Sequence, residues 1–277
     1  MIYITTAMYY EAQPLIKSLD LKKDLNYDKF QVFKNDDVVL IISGVGFVKA
    51  SIAVTYILTS LKKSKTLSNN DIFINFGICA SIKEKSGVVM CNKIIDHCTK
   101  RSYYPDVIFK HPFLEGTIET FPCVVNENKD IQGDFVDMEA SGAFQAASLF
   151  FHTHQMYFIK VISDLVNSNN ITGDSIKNLV DKNLPKVISW LNVRKSALSE
   201  EKGLLSDIER KYILEIEQNL NITQSMKHEF LTLCSDYKVR RKNSLIDILK
   251  LFSKRKCNSK REGKIYFEEL RSKLMEL

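Results

Sequence analysis

Short apolar runs rich in β-branched and aromatic residues alternate with segments of helical character over most of the chain. The runs that predict strands lie at 2–8, 30–34, 38–43, 71–75, 88–95, 117–125, 136–139 and 157–163, and the segments that predict helices between them lie at 11–19, 51–61, 140–151 and 174–191. Strands that alternate with helices are typical of an α/β fold with a mostly parallel core. The sequence therefore predicts an α/β domain, with one hairpin where residues 35–37 separate two of the runs.

Three of the predicted strands lead into an acidic residue. The run at 2–8 is followed by Glu11, the run at 136–139 ends on Glu139, and the run at 157–163 is followed by Asp164. In open α/β sheets, ligands bind outside the carboxyl ends of the strands. A poorly solvated Glu139 would need a hydrogen-bond donor, although an acidic residue at a helix N-terminus is also favoured by the helix dipole. Taken together, the three carboxylates predict a functional site at this edge.

Two glycine-containing segments follow predicted strands. Gly44-Val45-Gly46 comes after the run at 38–43, and Phe76-Gly77-Ile78-Cys79-Ala80-Ser81 comes after the run at 71–75 and is interpreted as a small-residue turn. A glycine turn between a strand and a helix lets backbone amides approach an anionic or hydroxyl-rich ligand. The first segment lacks the third glycine of the dinucleotide fingerprint. It could equally be a tight strand-to-helix turn, and no cofactor is predicted.

The pattern changes to helix only after a predicted break at 198–201. Apolar residues then recur at three and four positions, which is typical of amphipathic helices with one buried stripe each; they include Leu205, Ile208, Tyr212, Ile216, Leu245, Ile248, Leu249, Phe252, Ile265, Phe267, Leu270 and Leu274. We therefore predict two domains, an α/β domain at 1–195 and a small all-α region of three or four helices at 200–277. Core packing is the favoured interpretation of the stripes.

The positive charge of the chain is concentrated in the helical region. The formal net charge of the whole chain is +6, and the segment 238–264 alone holds eleven Lys and Arg against only two acidic residues, Asp247 and Glu262. A basic cluster such as 254–261 predicts a nucleic-acid or protein partner. The alternative is an ordinary solvated helix end and linker, and that alternative is favoured.

Composition and cysteine spacing exclude several functional classes. No apolar run approaches the roughly 20 residues that a membrane span needs, and no signal peptide precedes Ile2. None of the six cysteines forms a CxxC pair, and His97 beside Cys98 has the wrong spacing for a zinc module. We therefore expect reduced thiols, a cytoplasmic location, no metal site and no membrane association.

The segment 97–116 is loop-like and carries prolines, aromatic residues and basic residues. A surface loop is the simple interpretation. The alternative is a lid or a dimer contact over the site, because long ordered loops often carry function.

Five short motifs occur in the order and approximate spacing of the nucleoside phosphorylase superfamily: Ala7-Met8-Tyr9-Tyr10-Glu11, Ser43-Gly44-Val45-Gly46, Asn75-Phe76-Gly77, Val136-Asp137-Met138-Glu139-Ala140 and Ile162-Ser163-Asp164. Over about residues 1–192 the chain most resembles the 5′-methylthioadenosine/S-adenosylhomocysteine nucleosidases. The resemblance implies a three-layer fold with a mixed, mostly parallel central sheet, a homodimer, and hydrolysis of an adenine-type nucleoside without a cofactor. The helical region lies outside the resemblance.

The resemblance also implies roles for individual residues. Asp164 would be the general acid on N7 of the purine, supported by Ser163, and Glu11 would orient and deprotonate the attacking water. Met138 and Glu139 would hold the ribose. Phe121 would stack on the base, while Gly44, Gly46 and Gly77 would shape the floor of the pocket.

Two alternatives to hydrolysis stay open. A phosphorylase would need fixed cations for its phosphate, and Lys49 and Arg101 are the only nearby candidates, so hydrolysis is favoured. The second alternative is a regulatory module in which the α/β domain binds a nucleoside and the basic helices bind nucleic acid or a protein.

Overall fold

The computed structural model describes residues 1–62, 67–68, 70–84, 86–125, 130–166, 172–200, 205–240, 245–257 and 259–275. Its strands are β1 (Ile2–Thr6), β2 (Lys22–Lys23), β3 (Gln31–Lys34), β4 (Val38–Ile42), β5 (Ile72–Ser81), β6 (Val88–Asp96), β7 (Ser102–Tyr103), β8 (Leu114–Thr120), β9 (Phe135–Asp137) and β10 (Met156–Leu165). Its helices are α1 (Tyr9–Ser18), α2 (Phe47–Lys62), α3 (Ala140–Ala147), α4 (Gly173–Glu200), α5 (Asp207–Asn219), α6 (Gln224–Arg240), α7 (Leu245–Ser253) and α8 (Lys260–Met275).

The chain divides into two compact units, Met1–Arg194 and Lys195–Leu277. The boundary falls inside α4, which continues to Glu200. The predicted break at 198–201 is therefore wrong for residues 198–200, while residue 201 lies outside the described residues. Whether 1–195 and 200–277 are independent domains stays a prediction.

The first unit is built on one mixed sheet, as predicted. Its strands follow the order β10-β6-β8-β9-β5-β1-β4-β3-β2, with β7 on β6. The centre is parallel, because β1 pairs in parallel with β4 and β5, and β10 pairs in parallel with β5. The additional β5–β10 pairing closes β5, β9, β8, β6 and β10 into a ring. The carboxyl ends of the parallel strands thus meet at one edge.

Helices cover both faces of this sheet. Apolar residues of α2 and α3 pack against Tyr3, Phe73 and Phe158 on one face. Tyr157 points to the other face, because side chains alternate along a strand, and there its ring meets Trp190 of α4 at 5.0 Å between centroids. All five residues of β1 are buried, as expected for a central parallel strand covered on both sides. The three-layer architecture is confirmed.

Several predicted boundaries differ from the structure. The helix α1 begins at Tyr9, two residues before the predicted start at residue 11. The strand β8 ends at Thr120, earlier than the predicted 125. The segment interpreted as a turn around Gly77 is strand, because β5 continues to Ser81 in register with β10. The sequence also predicts a loop between the strand at 157–163 and the helix at 174–191, and its residues 167–170 lie outside the described residues.

The second unit contains the helices α5–α8, in agreement with a small all-α region. They enclose an apolar core that includes Ile213, Ile216, Leu249, Phe267 and Leu270. The predicted stripes are wrong at two positions. Ile208 is 58% exposed and Ile265 is 62% exposed, because the faces of α5 and α8 that turn inward are those of Ile213 and Phe267. Among the described residues, no helix is both long and apolar enough to cross a membrane.

Candidate active site

Glu11 lies in the first turn of α1, directly after β1, and is 2% exposed. Its Oε2 accepts hydrogen bonds from the amides of Ala7 and Met8, both at 2.9 Å, and its Oε1 accepts one from the amide of Ile78 at 2.9 Å. Burial raises the pKa of Glu11, while the three amides and nearby Lys160 oppose that rise. A carboxylate oxygen has about two lone-pair sites, so Oε1 keeps one acceptor position that the amides do not use.

Gly77 makes room for this carboxylate. A Cβ at residue 77 would lie 2.8 Å from Oε1 of Glu11, which is well inside van der Waals contact. Gly77 lies opposite Lys160 in the β5–β10 pair. The predicted turn at Gly77 is wrong, because Gly77 lies in β5, where it allows a close approach between the strand and a buried side chain. Its predicted place in the floor of the pocket stays a prediction.

Glu139 lies at the N-terminus of α3, two residues after β9 ends, and is 7% exposed. Its Oε1 accepts a hydrogen bond from the amide of Gly46 at 2.8 Å. Burial, followed by the charge of Asp137, raises the pKa of Glu139 to about 7, although Lys160 and the Gly46 amide lower it. The donor that the sequence required for a poorly solvated Glu139 is therefore supplied by the glycine turn.

The glycine turn needs backbone conformations that other residues rarely adopt. Gly44 has φ of +84° and Gly46 has φ of +108°, and such positive values carry a steric cost for residues with a Cβ. The amide of Gly44 donates to the carbonyl of Ala7 at 3.0 Å, which ties the turn to the end of β1. The turn therefore connects the segment that carries Glu11 with Glu139.

Lys160 is the functional candidate that the sequence analysis missed. It lies in the middle of β10, is 1% exposed, and its Nζ is 2.8 Å from Oδ2 of Asp137. Asp137, Glu139 and Glu11 together outweigh the effect of burial, so the pKa of Lys160 is raised and the ammonium stays charged. A lysine inside the apolar run Phe158-Ile159-Lys160-Val161-Ile162 was the available signal, because fully buried lysines are almost always paired.

Asp137 is itself held by a buried hydrogen-bond network. Its Oδ1 accepts from Oγ1 of Thr120 at 2.7 Å, and its Oδ2 accepts from the amide of Ala140 at 2.8 Å. Thr120 in turn accepts from the amide of Ser141 at 3.0 Å. These contacts fix both oxygens of Asp137, and through them the position of the Lys160 ammonium.

Asp164 lies near the carboxyl end of β10, where a β-bulge separates its register from that of Ile162. The bulge turns consecutive residues away from the regular alternation. The hydroxyl of Ser163 lies 3.1 Å from the carbonyl oxygen of Cys79 and also within hydrogen-bond distance of Oδ1 of Asp164. A hydroxyl has one proton, so Ser163 donates to one of these oxygens at a time. Ser163 thus contacts Asp164, and its predicted support of a general acid stays a prediction.

Phe121 follows β8 directly and is 7% exposed. Its ring stacks on the imidazole of His97, with centroids 3.8 Å apart, and packs with Val136 and Val166. Val166 lies two residues beyond Asp164, so Phe121 lines the region next to the predicted acid. Met138 is half-buried between Asp137 and Glu139. The predicted stacking of Phe121 on a base and the predicted contact of Met138 with ribose stay predictions.

The structure brings Glu11, Glu139 and Lys160 into one electrostatic cluster, because the charge of Lys160 lowers the pKa of both carboxyl groups and both carboxylates raise the pKa of Lys160. Asp164 lies at the same edge of the sheet, on the strand that carries Lys160. Among the described residues, no group of three or more His, Cys, Asp and Glu side chains could hold a metal ion. The groups that the described residues bring to this edge include three carboxyl groups, one hydroxyl and one buried ammonium.

Several solved structures with a similar architecture are nucleosidases. The chain is similar to a 5′-methylthioadenosine nucleosidase of Arabidopsis thaliana, with 17% identity, a TM-score of 0.58, and coverage of 70% of this chain and 95% of that one. It is similar to a 5′-methylthioadenosine/S-adenosylhomocysteine nucleosidase of S. pneumoniae, with 19% identity, a TM-score of 0.56, and coverage of 69% and 97%.

A futalosine hydrolase of Helicobacter pylori is also similar, with 13% identity, a TM-score of 0.53, and coverage of 69% and 98%. No protein-family model and no curated protein matches the sequence. Likeness at this identity establishes the fold, so the predicted nucleosidase-like architecture is confirmed. The C-terminal helices are additional to these structures.

Proposed function

We propose that the chain is a purine nucleosidase that hydrolyses the N-glycosidic bond of an adenine-type nucleoside, similar to 5′-methylthioadenosine or S-adenosylhomocysteine, to free base and sugar. The proposal rests on the buried cluster of Glu11, Glu139 and Lys160. This cluster lies at the edge of the sheet where Asp164 also lies. Carboxylates on two sides of a scissile glycosidic bond are what this chemistry needs.

The reaction leaves positive charge on the sugar and negative charge on the departing base. Asp164 would protonate N7 of the purine, so that the base leaves as a neutral molecule. The hydroxyl of Ser163 would donate its single proton either to the carbonyl of Cys79 or to Asp164. When it donates to Asp164, it would orient the acid. Glu139 would accept hydrogen bonds from the sugar hydroxyls and stabilise the positive sugar. General acid–base assistance is worth on the order of 100- to 10,000-fold per group.

Glu11 would deprotonate the attacking water. The amides of Ala7 and Met8 occupy Oε2, so the remaining lone pair of Oε1 is the position from which Glu11 would accept the water's proton. Lys160 donates to Asp137 with one of its three N–H bonds. Its positive charge would favour the ionised forms of Glu11 and Glu139 and so oppose the effect of their burial.

Phosphorolysis is the second candidate reaction. Lys49 is the observation that favours it, because the lysine lies beside the glycine turn. Phosphate carries about two negative charges, however, and both Glu11 and Glu139 would repel it. The deciding experiment is a panel of purine nucleosides assayed by chromatography of the free base, with and without added phosphate. Base release that does not require phosphate supports the nucleosidase.

A homodimer is also proposed. Val48 and Ile52 are 56% and 55% exposed on one face of α2, one helical turn apart, and Tyr104 and Ile108 are 58% and 67% exposed in the segment 97–116. Exposed apolar groups of this size are typical of an interface. Light scattering coupled to size-exclusion chromatography should give twice the mass of the chain, and Ile52→Lys should shift it toward a monomer.

The third proposal is the possibility that the sequence leaves open beside a solvated surface, that the basic helices bind nucleic acid or a protein. Lys238 and Arg255 are paired with Glu209 and Glu269, so part of the positive charge stabilises the helices themselves. Residues 241 and 242 lie outside the described residues. A salt-sensitive gel shift would test the proposal, and a regulatory module would bind without base release. The cytoplasmic location stays a prediction, which cell fractionation would test.

A further inference from the structure

His97 and Phe121 lie side by side, just beyond the carboxyl ends of β6 and β8. The last residues of these parallel strands, Asp96 and Thr120, are register partners. The pairing continues one residue further, because the amide of His97 donates to the carbonyl of Thr120 at 3.0 Å. The ring centroids of His97 and Phe121 are 3.8 Å apart, and the ring planes are inclined by 27°. The imidazole therefore covers one face of the phenyl ring.

Glu119 fixes the orientation of the imidazole. Its side chain is fully buried, and its Oε1 lies 2.7 Å from Nδ1 of His97. Its Oε2 accepts hydrogen bonds from the amides of Gln132 at 2.5 Å and Gly133 at 3.1 Å. An ionised carboxylate only accepts hydrogen bonds, so Nδ1 carries a proton and donates to Oε1, and Lys100, whose ammonium lies 3.3 Å from the same nitrogen, does not donate to it. A charge-assisted hydrogen bond to a fixed carboxylate is a strong one, and it holds the imidazole against Phe121.

Phe121 lies close to the proposed acid. It packs with Val166, which follows Asp164 by two residues, and two residues of extended chain span about 7 Å. In the proposed reaction Asp164 protonates the base, so the same base can stack on Phe121. The imidazole leaves only one face of the phenyl ring for that stacking.

An aromatic ring that is already held in place binds a base more tightly than a ring that is free to rotate. A free side chain loses its rotamer freedom when the base binds, and this loss weakens the affinity. In this structure the contact with the imidazole removes that freedom before the base arrives.

We infer that His97 is a positioning residue for Phe121, and that it raises the affinity of the site for the purine base. The inference rests on the proposed function and adds a residue to the recognition of the base. The roles that the resemblance implies include neither His97 nor Glu119.

The test measures the dissociation constant of adenine by isothermal titration calorimetry, and kcat for 5′-methylthioadenosine, in the full chain. His97→Asn keeps an N–H donor for Glu119 but removes the ring. We expect this variant to bind adenine about 5- to 10-fold more weakly. Its kcat should stay within about 3-fold of wild type, because the proposed acid and base are unchanged.

A double variant shows whether His97 acts through Phe121. Phe121→Leu removes the stacking surface and should weaken adenine binding by at least about 5-fold. Adding His97→Asn to Phe121→Leu should change the affinity further by less than about 2-fold, because the ring that His97 holds is already absent.

His111 is the matched control, because it makes the same kinds of contact elsewhere. Its Nε2 lies 3.3 Å from Oε1 of Glu115, and its ring stacks on Phe113 with centroids 5.5 Å apart. Phe113 in turn packs on Trp190 of α4. His111→Asn should therefore leave both the adenine affinity and kcat within about 2-fold of wild type.

The inference is overturned if His97→Asn leaves the adenine affinity unchanged, or lowers it equally with and without Phe121. It is also overturned if the wild-type chain does not bind adenine, or if Phe121→Leu binds adenine as wild type does, and these two results hold even if His97→Asn does not fold. Base release by the wild-type chain would in each case leave the proposed function standing. If the wild-type chain releases no base from any purine nucleoside, the proposed function fails, while the adenine titrations still test the role of His97.

Discussion

Asp164 has the most specific chemical role of any residue in the proposed site. Asp164→Asn keeps the shape of the side chain but cannot deliver a proton to the base. We expect the variant to lose at least about 100-fold in kcat for purine nucleosides while its circular dichroism is unchanged. Retention of more than about a tenth of the wild-type rate would contradict the general-acid role.

Lys160 and Asp137 should behave as a coupled pair. Lys160→Met leaves Asp137 buried without its cation, and loss of one partner of a buried pair costs about 3–5 kcal/mol of unfolding free energy. Lys160→Met together with Asp137→Asn removes both charges and should be less destabilised than the sum of the single variants by more than about 1 kcal/mol. If the losses of unfolding free energy, measured by urea denaturation, are additive, the contact between Lys160 and Asp137 contributes nothing to stability.

Glu139 should make stability depend on pH. Its pKa is raised from 4.5 to about 7 in the folded chain, so the folded state binds its proton more tightly than the unfolded state does. Stability therefore falls as pH rises from about 4.5 to about 7 and is level above that range. Glu139→Gln should remove this decline, so its unfolding free energy relative to wild type should rise between about pH 5 and about pH 7.5. If the difference in unfolding free energy between Glu139→Gln and wild type does not vary with pH, burial changes the pKa of Glu139 little.

At the scale of elements, the contact between β5 and α1 leaves no room for a side chain at residue 77. Gly77→Ala places a Cβ 2.8 Å from Oε1 of Glu11, and overpacking of a buried site typically costs about 1–3 kcal/mol. The variant should also lose at least about 10-fold in hydrolysis, because the displaced carboxylate is the proposed base. Adding Glu11→Ala should recover most of the stability, which thermal unfolding would show. If the double variant does not regain stability, the destabilisation by Gly77→Ala does not come from its contact with Glu11.

The order of the elements could be predicted from the sequence because each strand has a distinct apolar run. The identity of the acidic residues at the sheet edge could be predicted for the same reason. The extent of β5 could not, because Gly77 and Cys79 have weak strand preference on their own and are held in the strand by pairing with β10.

The pairing of Lys160 with Asp137 could not be predicted either. The two residues lie on separate strands, and their contact depends on the register of the sheet. In the second unit, the three- and four-residue spacing located the helices but did not decide between neighbouring faces, so Ile208 and Ile265 were misassigned. Tertiary packing decides which of two apolar faces turns inward.

At the scale of the whole molecule, the second unit is a separate compact body with most of the net charge. It holds 18 Lys and Arg against 13 Asp and Glu, while the full chain holds 39 against 33. A chain that ends after Glu200 keeps α4 intact and should release base within a few-fold of the wild-type rate, because every proposed site residue precedes Arg194. Loss of all activity with circular dichroism retained would show that the second unit completes the site.

The central claim is that water, and not phosphate, attacks the sugar with Glu11 as its base. The most direct measurement is mass spectrometry of the sugar released from 5′-methylthioadenosine, with and without phosphate, by the wild-type chain and by Glu11→Gln. We predict free methylthioribose under both conditions, and a rate lower by about 100-fold or more in the variant with substrate affinity within a few-fold. Methylthioribose 1-phosphate that forms only when phosphate is present, or a Glu11→Gln variant that hydrolyses at the wild-type rate, would contradict the account.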